Sequence, residues 1–367
     1  MPPVAADLLT FAWLYLALMK YLKLLLWPFS LLYGGIILLR NFLYDQGLLA
    51  SRRFAIPVIA VGNLTVGGTG KTPHVEYLLR LLQRYQTATL SRGYKRRSKG
   101  FVLADRSVSA EQLGDEPFQY YRDFPGVTVA VCESRVEGIA TLQELRPELE
   151  VVVLDDAMQH RPVQPSLNIL LTDYTRPFYR DLVLPAGLLR EPRHGAARAD
   201  VVIVSKCPQQ LQEEEQQTII KRIRRYSRAT VPVFFSTFRY GSPVAMGSAS
   251  HLTRRIVLLT GIANAAPLVA YLQEQHFTIV RHLAFPDHHQ YRKEDLEQLQ
   301  GIVAGEGEDT LCVVTTRKDA VKLMDDALLS LTQQLPLFYI PIEVQFLAQR
   351  DAFDRLILEH VEDFKAV

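Results

Sequence analysis

A glycine-rich hexapeptide limits this 367-residue chain to a small set of folds: Gly67-Gly68-Thr69-Gly70-Lys71-Thr72. The apolar run Val58–Val61 before it predicts a buried parallel strand, and Pro73–Gln83 after it has helical periodicity. Glycines let backbone N–H groups close around phosphate oxygens, and the N-terminus of the following helix adds a positive dipole. In this arrangement the Lys71 ammonium reaches β- and γ-phosphates, and the Thr72 hydroxyl suits Mg²⁺. The sequence therefore predicts an α/β nucleotide-binding core.

The loop departs from the strict GxxxxGK[ST] pattern, because Thr65 stands where that pattern has glycine. Gly67 and Gly68 supply backbone freedom nearby, so we expect phosphate binding to be retained. Partitioning and targeting ATPases of the KGGxxK[ST] type carry a further signature lysine at the position of Val66. The valine argues against a dimerising switch ATPase.

The composition indicates a folded protein with more than one domain, and it excludes several classes. Apolar residues make up 48% of the chain and charged residues 22%, which excludes a disordered protein. A net charge of +2 gives no reason to expect nucleic-acid binding. Cys132, Cys207 and Cys312 form no CxxC pair and no Cys/His cluster, which disfavours a disulfide scaffold and a zinc site.

The most apolar part of the chain is its N-terminal segment, Leu8–Leu39, whose only charges are Lys20 and Lys23. The uncharged stretch Leu24–Leu39 would be about 24 Å long as a helix, shorter than the roughly 30 Å bilayer core. Pro28 interrupts it. Aromatic residues of the kind found at membrane interfaces occur throughout: Trp13, Tyr15, Tyr21, Trp27 and Tyr33. We expect a broken interfacial helix, with a buried helical hairpin and a single membrane span as alternatives.

A pair of acidic residues follows another predicted strand. Glu150–Leu154 is an apolar run that ends in Asp155-Asp156, the Walker B arrangement that places a carboxylate near Mg²⁺. Together with the phosphate loop upstream, this order favours Asp155 as a metal ligand. The loop that follows contains Gln159, His160 and Arg161. Polar side chains in such loops face a ligand more often than they face a core.

Two loops contain residues that could bind or activate the molecule that accepts a phosphoryl group. Gly114-Asp115-Glu116-Pro117 opens a predicted helix, where acidic residues complement the helix dipole or where Asp115 acts as a general base. Phe285–Tyr291 contains Asp287-His288-His289 but too few ligands for a metal. Its acid and histidine indicate either a pair that tunes a base or binds phosphate, or a helix N-cap at Asp287 with solvated histidines.

Two arginines complete the candidates. Arg92 follows the predicted strand Thr87–Leu90 and is placed to meet phosphate. Arg190-Glu191 lies in a loop rich in Pro and Gly, as a structural ion pair or as a contact with substrate and metal.

The remaining pattern predicts two αβα sandwich domains, the first a P-loop NTPase-like core, divided near residue 245. The predicted bounds are 1–50 for the membrane-associated helical segment, 51–245 for the P-loop domain, 246–336 for a smaller α/β domain and 337–367 for a linker strand and final helix. We expect the strands 231–240 and 337–346 to pair as a two-stranded linker.

Six motifs in order resemble the tetraacyldisaccharide 4′-kinase family of lipid A biosynthesis: VGNLTVGGTGKTP (61–73), LSRGYKRR (90–97), GDEP (114–117), LDDAMQHR (154–161), LPAGLLREP (184–192) and FPDHHQY (285–291). The resemblance covers nearly the whole chain, and Thr65 is itself typical of that family. Met158 stands where the family more often has Phe.

The resemblance implies transfer of the γ-phosphate of ATP to the 4′-hydroxyl of a tetraacylated glucosamine disaccharide 1-phosphate. It implies a site at the cytoplasmic face of the inner membrane, with ATP and Mg²⁺ as cofactors. We expect the protein to be a monomer. The implied catalytic residues are Asp115, His288, Lys71 and Asp155, and the metal ligands are Thr72 and Asp155. The implied nucleotide-binding residues are Gly67, Gly68, Thr69, Gly70, Lys71, Thr72 and Pro73. The implied substrate-binding residues are Arg92, Glu116, Asp156, Gln159, His160, Arg161, Arg190, Glu191 and Asp287.

Two other functions stay open on the residues alone. A membrane-associated P-loop ATPase acting as a switch would need the loop but no acceptor site. A kinase for a soluble sugar or cofactor would leave the apolar N-terminal segment without a purpose.

Overall fold

The computed structural model describes residues 4–249, 251–306 and 311–365, with side chains over 24–249, 251–305 and 311–364. As predicted, it is an α/β fold with two sheets and an apolar N-terminal helix. The helices are α1 Val4–Asp45, α2 Lys71–Leu81, α3 Ala110–Leu113, α4 Asp115–Asp123, α5 Arg135–Leu145, α6 Glu213–Ile223, α7 Ala266–Glu274, α8 Lys293–Glu306, α9 Arg317–Leu323, α10 Asp326–Gln334 and α11 Arg350–Lys365. The strands are β1 Val58–Asn63, β2 Thr87–Ser91, β3 Val102–Leu103, β4 Thr128–Val131, β5 Val151–Asp155, β6 Leu167–Asp173, β7 Val201–Ser205, β8 Val233–Tyr240, β9 Val244–Ala245, β10 Arg255–Thr260, β11 Thr278–Ala284, β12 Cys312–Thr316, β13 Leu337–Ile340 and β14 Ile342–Phe346.

The chain forms two compact units. The first comprises Met1–His74, Val153–Thr237 and Phe346–Val367, and the second comprises Val75–Val152 and Phe238–Gln345. Each unit thus combines segments that are distant in the sequence. The four consecutive domains expected from the sequence stay a prediction.

Helix α1 is continuous through Pro28, so the predicted break is wrong. Proline removes one helical hydrogen bond, and packing of the following turns against the rest of the first unit offsets that loss. Ser30 and Gly34 are buried on the docked face. The opposite face exposes Leu24, Leu25, Trp27, Phe29, Leu31, Leu32, Ile36, Leu38, Leu39 and Phe42. The predictions for Trp13, Tyr15, Tyr21, Lys20 and Lys23 concern residues outside the described side chains.

The first unit is organised by parallel strands. β6 pairs in parallel with β1 and with β7, and β7 pairs in parallel with β8. The residues of β1 and β7 are buried throughout, as expected where helices or loops cover both faces of a parallel sheet. Because the strands are parallel, their carboxyl ends lie along one edge, which brings Asn63, Asp173 and Ser205 to that edge.

The second unit contains a five-stranded sheet in the order β11-β10-β12-β13-β9. Its first four strands are parallel, and β9 is antiparallel at the edge. Ile256 and Leu258 of β10 enter one hydrophobic cluster, while Val257 and Leu259 enter another. This alternation places apolar side chains on both faces and confirms an αβα arrangement for this sheet.

The predicted strand 337–346 is in fact two strands, because Pro341 separates β13 from β14. Proline has no N–H for a strand ladder, so a strand in the middle of a sheet cannot run through it. β13 joins the five-stranded sheet, and β14 lies beside β8. The N–H of Leu347 donates to the carbonyl of Phe235 (2.9 Å) just beyond β14. The predicted pairing of the two segments is therefore confirmed for β8 and β14.

Candidate active site

The phosphate loop has the predicted order of strand, glycine turn and helix. β1 ends at Asn63 and α2 begins at Lys71, so the Lys71 amide opens the helix. Gly67 (φ +107°) and Gly70 (φ +84°) adopt backbone conformations that side chains other than glycine rarely take. Gly62 is also required, since a Cβ there would lie 2.7 Å from the Cβ of Met158. The loop therefore has the shape and the N-terminal dipole needed for anionic phosphate.

The predicted acidic pair lies at the end of β5. Asp155 is the last strand residue and is only 5% exposed. Asp156 has φ +51° and lies 3.6 Å from the Lys71 ammonium. Both of its carboxylate oxygens accept from Arg190 Nη1, at 3.0 and 2.9 Å. Asp156 thus holds Lys71 and Arg190, two cations that could bind phosphate.

Asn63 is a site residue that sequence reasoning missed. Its Nδ2 donates to Thr69 Oγ1 (2.9 Å), and its Oδ1 accepts from Lys71 Nζ (3.5 Å). The side chain is fully buried beneath the loop. It fixes the loop and the lysine together. Its position as the last residue of a strand before a glycine loop was the available signal.

The loop 184–192 runs beside the start of the phosphate loop. The Val66 N–H donates to the Leu188 carbonyl (2.8 Å), and the Arg190 N–H donates to the Leu64 carbonyl (2.7 Å). Arg190 and Glu191 do not pair with each other, so the ion-pair reading of this dipeptide is wrong. The two consecutive side chains have different partners, since Arg190 binds Asp156 and Glu191 binds Arg198.

Glu191 is a buried junction, only 1% exposed. Arg198 Nη2 donates to both of its oxygens at 2.8 Å, Gln159 Nε2 donates to one at 2.9 Å, and Asn41 Nδ2 donates to the other at 3.1 Å. Gln159 also donates to the Asn63 carbonyl (2.8 Å). Glu191 therefore orients neighbouring side chains, and direct substrate contact by it stays a prediction.

Helix α1 docks onto these same loops. The Tyr33 hydroxyl donates to the Arg190 carbonyl (3.0 Å), and Arg40 Nη2 donates to the Gln159 carbonyl (2.9 Å). Arg161, a predicted substrate residue, binds Asp45 at the end of α1 (2.6 Å). His160 is half-buried in the same loop. The apolar helix is thus tied to the loops that follow β5 and precede Arg198.

A second group of predicted residues comes together within the second unit. Asp115 is the first residue of α4, and its Oδ2 lies 3.0 Å from Nδ1 of His288, 173 residues away. Since a carboxylate only accepts, Nδ1 carries the proton. The His288 Nε2 lies 3.3 Å from Lys318 Nζ, which donates to it. Tyr94 packs its ring edge-on against the imidazole at 5.6 Å.

Two lysines of α9 surround this pair, and neither was among the candidate site residues predicted from the sequence. Lys322 Nζ lies 3.4 Å from Asp115 Oδ2 and is almost fully buried. Lys318 Nζ binds Asp287 (3.0 Å) and lies 4.0 Å from Glu116. Asp287 is therefore an ion-pair partner, and its reading as a helix N-cap is wrong because α8 begins only at Lys293.

The charges around Asp115 keep it ionised. Burial raises the pKa of Asp115, but the His288 hydrogen bond and the Lys322 and Lys318 ammonium groups outweigh it, so the pKa lies below its ordinary value. Burial likewise raises the pKa of Asp287, and the Lys318 hydrogen bond and charge bring it below its ordinary value. A pocket beside Asp115 is lined by Tyr94, Lys95, Arg97, Ala110, Glu111, Gly114, His288 and Gln290. The Asp115 carboxylate thus borders this pocket.

Arg92 is exposed directly after β2, and its role in meeting phosphate stays a prediction. Within the described part of the chain, no cluster of three His, Cys, Asp or Glu side chains could hold a metal ion alone. One hydroxyl at Thr72 and one buried carboxylate at Asp155 are hard oxygen donors. They suit Mg²⁺, which usually completes its shell with phosphate oxygens and water.

Comparison with known proteins gives the family. The sequence profile of tetraacyldisaccharide-1-P 4′-kinase matches residues 22–362. The chain belongs to this family. A tetraacyldisaccharide 4′-kinase from Flavobacterium johnsoniae is 44% identical over 351 residues, which is 94% of this chain and 99% of that protein. One from Bacteroides thetaiotaomicron is 43% identical over 359 residues, 92% and 93% of the two chains.

A solved structure agrees with the family assignment. The crystal structure of LpxK from Aquifex aeolicus in complex with ATP superposes with a TM-score of 0.73 at 30% identity. The match covers 93% of this chain and 99% of that chain. The α/β fold with its apolar N-terminal helix is thus the fold of a family kinase, and the family resemblance of the sequence motifs is confirmed.

Proposed function

We propose that this chain transfers the γ-phosphate of ATP to the 4′-hydroxyl of a tetraacylated glucosamine disaccharide 1-phosphate in lipid A synthesis. Family membership over nearly the whole chain supports this activity. The observation that carries it is the Asp115–His288 pair, which occurs in the same chain as a phosphate loop. A switch ATPase has a use for the loop but none for an acid–histidine pair lining an acceptor pocket.

On the donor side, Lys71 and the amides at the start of α2 would hold the triphosphate. Mg²⁺, held by Thr72 and Asp155 together with phosphate oxygens, would supply positive charge to the transferring phosphoryl group. Asp156 sets the directions of Lys71 and Arg190 before substrate binds, and Arg190 then offers its guanidinium to phosphate.

On the acceptor side, Asp115 would accept the proton of the 4′-hydroxyl as the oxygen attacks the γ-phosphorus. The bond between the γ-phosphorus and the β-γ bridging oxygen then breaks, and ADP leaves with that oxygen. A carboxylate held ionised by Lys322 and His288 is in the correct state to accept at neutral pH. His288 and Lys322 orient it. Glu116 and Asp287 border the same lysine, Lys318.

The exposed face of α1 suits a lipid-borne substrate. Among the described helices, the segment Leu24–Asp45 is by length and composition apolar enough to cross a membrane, and only 11% of its 18-residue apolar window is buried. Its docked face binds the loops of the donor site, while its other face shows leucine and aromatic side chains to the surroundings. We infer that this face lies in the cytoplasmic leaflet of the inner membrane, so that acyl chains stay in lipid while the sugar reaches ATP.

The test is transfer of radiolabelled γ-phosphate from ATP to tetraacylated disaccharide 1-phosphate in detergent micelles. We expect Asp115→Asn to lower kcat by about 10²- to 10⁴-fold, the usual contribution of a general base. Lys71→Ala should abolish measurable transfer. The matched control is Asp326→Asn, because Asp326 is also the first residue of a helix but lies exposed on α10.

Asp326→Asn should leave transfer within about twofold of wild type, as is usual for surface changes. ATP hydrolysis without transfer to the lipid by the wild-type enzyme would contradict the kinase proposal. Phosphate transfer by Asp115→Asn at the wild-type rate would support the kinase activity but would exclude Asp115 as the general base.

A further inference from the structure

Three consecutive carbonyls of the phosphate loop accept hydrogen bonds from side chains of the first unit. Lys206 Nζ donates to the Gly68 carbonyl, Ser205 Oγ donates to the Thr69 carbonyl (2.8 Å), and His74 Nδ1 donates to the Gly70 carbonyl (2.7 Å). A carbonyl is an acceptor only, so the side chain is the donor in all three hydrogen bonds.

Each donor is itself held in place. Lys206 also binds Asp173, the last residue of β6, at 2.7 Å. The His74 Nε2 lies 3.0 Å from Ser236 Oγ on β8. Ser205 and Ser236 are completely buried, and His74 is 3% exposed. Ser205 and Lys206 thus lie at the end of β7, and His74 lies in the first turn of α2.

The charge state of His74 fits this role. Burial lowers its pKa to about 4, although the hydrogen bond to the Gly70 carbonyl acts in the opposite direction. The imidazole is therefore neutral near pH 7, with its single proton on Nδ1 and its Nε2 as an acceptor for the Ser236 hydroxyl. Both bonds are satisfied in one tautomer.

The geometry points to a carbonyl clamp, formed by His74, Ser205 and Lys206, that positions the phosphate loop for ATP. A trans peptide is planar, so the N–H of each unit points away from its carbonyl. The Thr69 carbonyl is held toward Ser205 at the end of β7, and the Gly70 carbonyl is held toward His74 on α2. The N–H groups of Gly70 and Lys71 therefore point the other way, toward the space that phosphate would occupy. The Thr69 N–H donates within the loop to the Gly67 carbonyl (3.1 Å).

The clamp is useful because the loop is rich in glycine. Glycine has the largest backbone freedom of any residue, so an unrestrained loop would have to be ordered when ATP binds. Side-chain bonds to the carbonyls impose that order in advance, which lowers the cost of binding. The three clamp members are positioning residues and need not touch the nucleotide.

The test compares Lys206→Met with Lys206→Arg and with wild type in the lipid kinase assay. Lys206→Met keeps the length of the side chain but removes the donor, and we expect KM for ATP to rise about 10-fold or more, as for loss of a charged hydrogen bond. KM for the lipid should stay within about twofold. Lys206→Arg should restore KM for ATP, because a guanidinium can still donate to Gly68 and Asp173.

Lys221→Met is the matched control, since Lys221 is an exposed lysine of α6 in the same unit. Ser205→Ala should raise KM for ATP about 5- to 10-fold, as for loss of one neutral hydrogen bond. An unchanged KM for ATP in Lys206→Met, an equal rise in Lys221→Met, or a parallel rise of both KM values would each overturn the clamp. Lys206 is partly exposed, so its variant should fold even where the Ser205 variant does not.

Discussion

Glu76, on the helix that follows the phosphate loop, should make the stability of this kinase depend on pH. Burial raises its pKa from 4.5 to about 7, and nearby Asp123 adds to the rise. Arg80, Arg317 and the Gln119 hydrogen bond act in the opposite direction but do not cancel it. In the unfolded chain the same carboxyl titrates at its ordinary value.

The sign follows from linkage. Between the two pKa values the folded state holds a proton that the unfolded state has released, so raising the pH favours unfolding. The penalty is small below pH 4.5, grows up to about pH 7 and is constant above it. The difference between the two pKa values corresponds to about 3 kcal/mol at high pH, of which about 2 kcal/mol develops between about pH 5.5 and 8.5.

Glu76→Gln removes the titrating group and keeps an acceptor for Gln119. Relative to wild type, we expect its free energy of unfolding to increase by about 2 kcal/mol from about pH 5.5 to 8.5, or a difference of roughly 4–8 °C in Tm. The assay is thermal and urea unfolding of both proteins in detergent at four pH values. Glu214→Gln, at an exposed position on α6, controls for the loss of one negative charge.

Stability curves of Glu76→Gln and wild type that stay parallel across this pH range would refute the reasoning. So would an equal pH-dependent gain in Glu214→Gln, because that result would assign the effect to net charge rather than to burial of Glu76.

Two further predictions concern the first unit. Because burial lowers the pKa of His74 to about 4, the unfolded state takes up a proton first, and stability should fall by up to about 3 kcal/mol as the pH drops from 6.5 to 4. In urea unfolding, His74→Phe should remove most of this loss of stability between pH 6.5 and 4. An unchanged loss of stability would contradict the assignment to His74. On the exposed face of α1, Leu32→Glu should weaken binding to phospholipid vesicles about 10-fold or more without changing Tm. Equal co-sedimentation of the variant and wild type would exclude this face from the membrane contact.

The local elements of the donor site could be predicted from sequence because each is encoded by neighbouring residues. The glycine turn between Val58–Asn63 and Lys71–Leu81 has a strand pattern before it and a helical pattern after it. Asp155 could likewise be placed, since an apolar run ending in an acid predicts a strand end in a parallel sheet. The Asp115 helix start followed from Gly114 and the acidic first turn.

Two predictions failed where a local signal was weighed wrongly. Pro28 was expected to break the N-terminal helix, but Tyr33 and Arg40 dock the later turns onto the first unit and the helix continues. Pro341 was overlooked within a β-like run, although its missing N–H was a sufficient reason to divide that run.

By itself, then, the sequence determined the phosphate loop, the acidic strand end and the family to which they belong. Tertiary structure alone decided which partners these groups have. Asp115 meets His288 across 173 residues, and the Thr69 carbonyl meets Ser205 across 136. The physical reason is that hydrogen-bond geometry is fixed within tenths of an ångström, whereas a sequence pattern fixes only local conformation. Which lysine neutralises Asp115, and which side chains hold the loop carbonyls, depends on how distant strand ends and helices pack.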